Sequence, residues 1–80
     1  MNAKNSILLK DYYNLLFEYV SKLEDWETTG EIAKKFNSTL KFRFASLHTI
    51  RRYLEVMHSK GLIDCRVISG GKVWRGLKKI

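Results

Sequence analysis

Between Leu8 and Leu23 large apolar residues recur at helical spacing: Leu8, Leu9, Tyr12, Tyr13, Leu15, Leu16, Phe17, Tyr19, Val20 and Leu23. Wound at about 100° per residue they form one continuous arc, and Lys10, Asp11, Asn14, Glu18, Ser21 and Lys22 fill the remainder. The pattern predicts a first helix over residues 6–23 with Ser6 as its cap. The arc spans about 200°, where a surface helix covering one core needs about 100°. One half, Leu8, Tyr12, Leu15 and Tyr19, is expected to face the core. The other, Leu9, Tyr13, Phe17 and Val20, is expected to be covered by a second copy of the chain, because monomers avoid exposing patches of large side chains; the alternatives are that the two halves exchange roles, or that the segment carrying Phe42 and Phe44 folds back over the second half and leaves a monomer.

A shorter helix is expected over residues 28–36. Thr28 and Glu31 have capping-box spacing, in which a hydroxyl and a carboxylate each satisfy one of the free N–H groups at a helix start. Ile32, Ala33 and Phe36 supply its apolar face, and Asn37-Ser38 reads as a break. Residues 46–59 form a third helix capped by Ser46, with Leu47, Ile50, Tyr53, Leu54 and Met57 on one side. Gly61 ends it by supplying a left-handed conformation. Leu62 to Ile68 reads as a strand, and Val73 to Leu77 as its antiparallel return across Ser69-Gly70-Gly71-Lys72. With Gly70-Gly71 as the turn centre, Val67 pairs with Trp74, and Arg66 stands opposite Arg75. Cys65, Val67 and Trp74 then share the core side of the hairpin. The expected fold is mainly α with a small β-hairpin, in the order α-α-α-β-β, forming a single domain over 1–80 with its hairpin at 62–77.

Eighty residues allow one thin core. Charge changes the picture more than size does. Residues 1–31 carry three lysines against six acids, a balance of −3, whereas residues 32–80 carry twelve Lys/Arg against Glu55 and Asp64, a balance of +10. A basic segment within a folded domain is the footprint of a polyanionic partner. No apolar run exceeds three residues, as in Ile7-Leu8-Leu9, which is far short of a membrane span. The N-terminal residues do not follow the pattern of a secretory signal. The single cysteine, Cys65, permits no intrachain disulfide and fits a reducing interior. A cytoplasmic location is expected.

Three stretches resemble the winged helix-turn-helix superfamily, including its MarR- and GntR-type regulators and the small regulators of archaea and their viruses. They are Glu31-Ile32-Ala33-Lys34-Lys35-Phe36, Ser46-Leu47-His48-Thr49-Ile50-Arg51-Arg52-Tyr53-Leu54, and Lys60-Gly61-Leu62-Ile63. The resemblance covers about 50 residues from Thr28 and implies a recognition helix over 46–59 followed by a wing. One departure stands out. Asn37 to Ala45 is a nine-residue insert, where a helix-turn-helix usually has about three or four. Phe42 and Phe44 look like plugs that hold the insert to the core.

The resemblance makes double-stranded DNA the expected partner and transcription regulation the expected role. The expected contacts are Lys41 and Arg43 from the insert, Ser46, His48, Thr49, Arg51 and Arg52 from the third helix, and Arg66, Lys72 and Arg75 from the wing. Arg52 shares its side with His48 and Thr49 and suits a base edge, whereas Arg51, four residues before Glu55, can pair with it instead. Opposed Arg66 and Arg75 would repel, and a polyanion would relieve the cost. The competing expectation is a winged-helix protein-interaction module, since fold does not dictate function. No catalytic grouping is visible, so no enzyme activity is expected, and no cofactor. His48 and His58 lie ten residues apart, about 15 Å along a helix, too far to share a metal. The chain has no room for a separate effector domain, so no small-molecule effector is expected.

Overall fold

The computed structural model describes residues 9–40 and 45–77. Helix α1 spans Leu9–Ser21, strand β1 Glu27–Thr28, helix α2 Thr29–Thr39, helix α3 Leu47–Ser59, strand β2 Ile63–Ile68 and strand β3 Gly71–Gly76. Three helices thus pack with a small antiparallel sheet of order β1-β3-β2, a winged-helix-like arrangement. The two-residue strand β1 was not legible in the hydrophobic pattern. It pairs Glu27 with Trp74 and Thr28 with Val73. Among the described residues no helix is long and apolar enough to cross a membrane.

The helix starts form as their local chemistry dictates. Thr28 Oγ1 accepts the Glu31 N–H at 3.1 Å, and the Glu31 carboxylate accepts the Thr28 N–H at 2.9 Å. That backbone bond holds the Glu31 carboxyl below its usual range. Ser46 likewise accepts the Thr49 N–H. At the end of α3, the residue taking positive φ is Gly61 (74°).

The α1 arc divides differently from the sequence expectation. Tyr12, Leu16 and Val20 are the buried stripe, with Val20 fully inaccessible. Val20 is therefore a core residue and belongs to no outer face. Tyr13 and Phe17 pack against the same core. The Tyr13 ring meets Tyr53 of α3 edge-on at 5.5 Å, and Lys60 Nζ stands over it. On the other flank Tyr19 meets Phe36 of α2, while Leu15, expected inside, is 40% exposed. The chain's own α2 and α3 therefore cover most of the wide arc. Tyr19 Oη also donates to Glu27, which accepts from Lys35 at 2.9 Å. This links α1, β1 and α2. Burial and the Glu27 carboxylate push the Tyr19 phenol up, and the hydrogen bond to Glu27 raises Lys35. Residues 6–8 of the expected first helix, with its cap Ser6, lie outside the described residues.

Helix α2 runs through the expected break to Thr39. Ser38 and Thr39 donate back to the carbonyls of Lys35 and Phe36, so their hydroxyls are accommodated within the last turn. Asn37 does something else. Its amide donates to the Ala45 carbonyl at 2.9 Å, and its carbonyl accepts the Ala45 N–H at 2.8 Å. The side chain thus mimics one rung of a sheet and fixes where the chain enters α3. The insert is in effect shortened, because three of its nine residues are helical. Phe42 and Phe44 lie outside the described residues.

The hairpin register also differs. Ile68 closes the turn with Gly71, and Cys65 pairs with Trp74, Asp64 with Arg75, and Arg66 with Val73. Relative to the expected pairing, each β3 residue meets a β2 residue two positions earlier. A two-residue shift leaves every side chain on its original face, so alternation cannot distinguish the two registers. Charge can: the observed one puts Arg75 opposite Asp64 instead of Arg66. The Ile68–Gly71 pair leaves Ser69-Gly70 as the turn, and the positive φ falls on Gly71 (136°) at the start of β3. Cys65 packs on the core as expected, with its thiol pushed up by burial. Val67 does not pack there. It is 73% exposed because the outer end of the hairpin projects beyond the core. Gly76 donates to the Leu23 carbonyl and lies against the Ser21 carbonyl, leaving no room for a methyl group.

Replacing Asn37 by Ala should lower stability by about 2 kcal/mol, because the N–H and C=O of buried Ala45 lose their partners together. Urea denaturation checks this. An unchanged midpoint would mean that the entry to α3 is held by something else.

Candidate nucleic-acid interface

Ile50, Leu54 and Met57 bury one face of α3. At 3.6 residues per turn the opposite face carries His48, Arg52 and Ser59, and all three are exposed. Arg51 lies about 100° round from Arg52 and faces the wing. There a cleft of about 280 Å³ is lined by Thr29, Arg51, Glu55, Gly71, Lys72 and Trp74. A smaller adjoining cleft adds Thr28, Gly30, Leu47, Ile68 and Gly70. The start of α2, the flank of α3 and the wing turn therefore converge on one groove. Among the described residues neither Arg51 nor Arg52 pairs with a carboxylate.

Trp74 holds the groove in shape. Its indole is 1% exposed, and Nε1 donates to Thr29 Oγ1 at 2.9 Å. The bond ties the wing to the first residue of α2. His58 meets the ring edge-on, and Lys72 Nζ lies 5.9 Å from its centroid. Thr29 was not singled out in the sequence. Its hydroxyl follows another hydroxyl residue at a helix start, and nothing local indicates a partner 45 residues away.

The candidate contacts separate into groups. His48, Arg51 and Arg52 project from α3 and are exposed. Ser46 and Thr49 are occupied with each other: besides capping, Ser46 Oγ donates to Thr49 Oγ1 at 2.9 Å. Lys72 pairs with Glu55 at 3.3 Å, taking the acid that the sequence offered to Arg51. Both partners of that pair are well exposed, so it adds little stability. Lys41 and Arg43 lie outside the described residues.

Arg66 and Arg75 are not opposed. Both lie on the sheet face away from Trp74 and share Trp26, the residue before β1. Their guanidinium carbons are 5.0 and 4.2 Å from its ring centroid. Arg75 is further held by Asp64, with Nε 3.8 Å from the carboxylate, and its side chain is only 20% exposed. Cation–π attraction and one carboxylate thus replace the expected repulsion. Arg66 is the more available of the two. Trp26 lies in an acidic connection with no periodicity, so the hydrophobic pattern assigns it no place. A tryptophan in such a segment is itself a signal, since so large a ring normally finds a surface to cover.

Replacing Arg66 and Arg75 together by Ala should therefore destabilise the fold, by about 1–2 kcal/mol. Chemical denaturation combined with tryptophan emission tests this. The Trp26 contribution should change while that of buried Trp74 persists. Unchanged stability and emission would remove the stacking from the account of the wing.

No family model, curated protein or solved structure matches this chain.

Proposed function

We propose that the chain binds double-stranded DNA as a sequence-specific transcription regulator of the winged helix-turn-helix type. In this reading the exposed face of α3 enters the major groove and the wing lies along the backbone or minor groove. The observation that carries it is the unpaired basic face of α3, Arg51 and Arg52 beside His48, set next to a groove walled by the wing. The balance of +10 over residues 32–80 supports the same partner. Arg52, opposite the buried stripe, suits a base edge. Arg51, at the wing-side cleft with Lys72, suits a phosphate.

A protein-interaction module is the second reading. It is favoured by the exposed apolar residues near the groove, Leu47 on α3 and Val67 and Ile68 towards the wing turn. Apolar side chains beside cations are also compatible with the minor groove, where such groups wedge between base steps. The density of unpaired arginine on α3 favours nucleic acid.

Fluorescence anisotropy with a random duplex across a salt series separates the two readings. If Arg51, Arg52, Arg66 and Lys72 each neutralise one phosphate, log K should fall with log salt at a slope of about −4. A slope near zero means that DNA is not the partner. On a selected site, Arg52→Ala should cost about 1–3 kcal/mol of discrimination against random DNA. Arg51→Ala should weaken binding equally on both. The reverse pattern would exchange the two roles.

A further inference from the structure

On a different set of elements, α1 and α2 enclose an apolar groove of about 390 Å³. Tyr19, Leu23, Phe36 and Leu40 form its hollow, and exposed Leu15 stands on its lip. No residue of α3 or the wing contributes. Two charged residues, Glu18 and Lys22, complete the α1 side. Both are exposed, and among the described residues neither is in an ion pair.

We infer that this groove is the contact surface for a second copy of the chain, with the two α1 helices antiparallel across a two-fold axis near Tyr19. The pattern along α1 is self-complementary in that arrangement. Leu15 and Leu23 lie symmetrically about Tyr19, four residues to either side, so each Leu15 meets the hollow beside Leu23 of the other copy. Knob and hollow are about 12 Å apart along α1 and the turn that follows it, and a two-fold contact requires one patch to contain both. Glu18 and Lys22 are centred one residue further on, at position 20. The axis brings each Lys22 to within about 3 Å, along the helix direction, of Glu18 in the other copy. Glu18 and Lys22 also stand four apart in one chain, a spacing at which they can pair within a copy; across the axis the same residues give two pairs between copies. In parallel alignment like charges would meet instead, which is unfavourable.

The inference is independent of DNA binding. It moves the expected dimer interface from Leu9, Tyr13, Phe17 and Val20 to the opposite flank of the same helix, where apolar surface is left uncovered.

Sedimentation equilibrium of the full chain without DNA tests it. The parent should have a dimer mass at micromolar concentration. Glu18→Lys and Lys22→Glu should each raise the dissociation constant about tenfold or more by placing like charges together at both pairs. The variant carrying both changes restores opposite charges and should return to within about threefold of the parent. Both positions are exposed, and circular dichroism establishes that each variant is folded. A monomeric parent overturns the inference and leaves the groove to another occupant. A dimer indifferent to the single reversals, or a double variant no better than the singles, overturns it as well.

Discussion

The indole of Trp74 is buried between the wing and α3 with its one polar atom bonded to Thr29. A donor enclosed that deeply must find an acceptor or lose one to three kcal/mol, about the scale of a single buried hydrogen bond. Thr29 meets that requirement only if β3 runs past the start of α2, and β1 pairing with β3 brings it there. The same strand places Gly76 against the end of α1, at a distance only glycine permits. Position and direction of the wing thus follow from one enclosed ring and one missing side chain. In a domain this small, with little core to spare, such fixed contacts decide geometry.

Once β3 is placed, the charges sort themselves. Cations near the wing are held by neighbours: Lys72 by Glu55, Arg75 by Asp64 and Trp26, Arg66 by Trp26. Among the described residues, Arg51 and Arg52 on α3 have no carboxylate partner. Side chains already restrained lose less freedom on meeting a ligand, whereas unrestrained arginines adapt to a base edge or phosphate. The wing therefore offers a fixed basic surface beside an adaptable one on the helix. Two of the six acidic residues within the first 31 contribute to structure. Glu27 joins Tyr19 to Lys35, and Glu31 completes the helix cap.

Apart from α2, the two surfaces use different elements. The groove of mixed charge lies among the α2 start, α3 and the wing turn, and the apolar groove lies between α1 and the rest of α2. Helix α2 is common to both. A ligand on one face and a second copy on the other would therefore share one rigid element without competing for space.

Much of this was legible in the order of residues. Helical spacing identified all three helices, and the Thr28–Glu31 and Ser46 caps located two starts to within one residue. Those signals are local, because a cap or an amphipathic stripe is satisfied within a few residues of where it is written. Arg51 and Arg52 were also readable as exposed, from their place opposite the apolar stripe. What escaped was long-range. The α1 arc was wide enough to suggest a second copy over Leu9, Tyr13, Phe17 and Val20, but only packing showed Val20 enclosed, α3 against Tyr13 and α2 against Tyr19, with Leu15 left exposed. Asn37 looked like a helix breaker because its partner, Ala45, is eight residues away. The hairpin register moved by a step that preserves every face, and the neighbours that select it, Asp64 across from Arg75 and the enclosed Trp74, act between strands. Sequence alone located the three helices and the apolar stripe of each. Tertiary structure alone decided which apolar residues the chain covers for itself and which cations are already taken, because both depend on contacts between residues far apart in the chain.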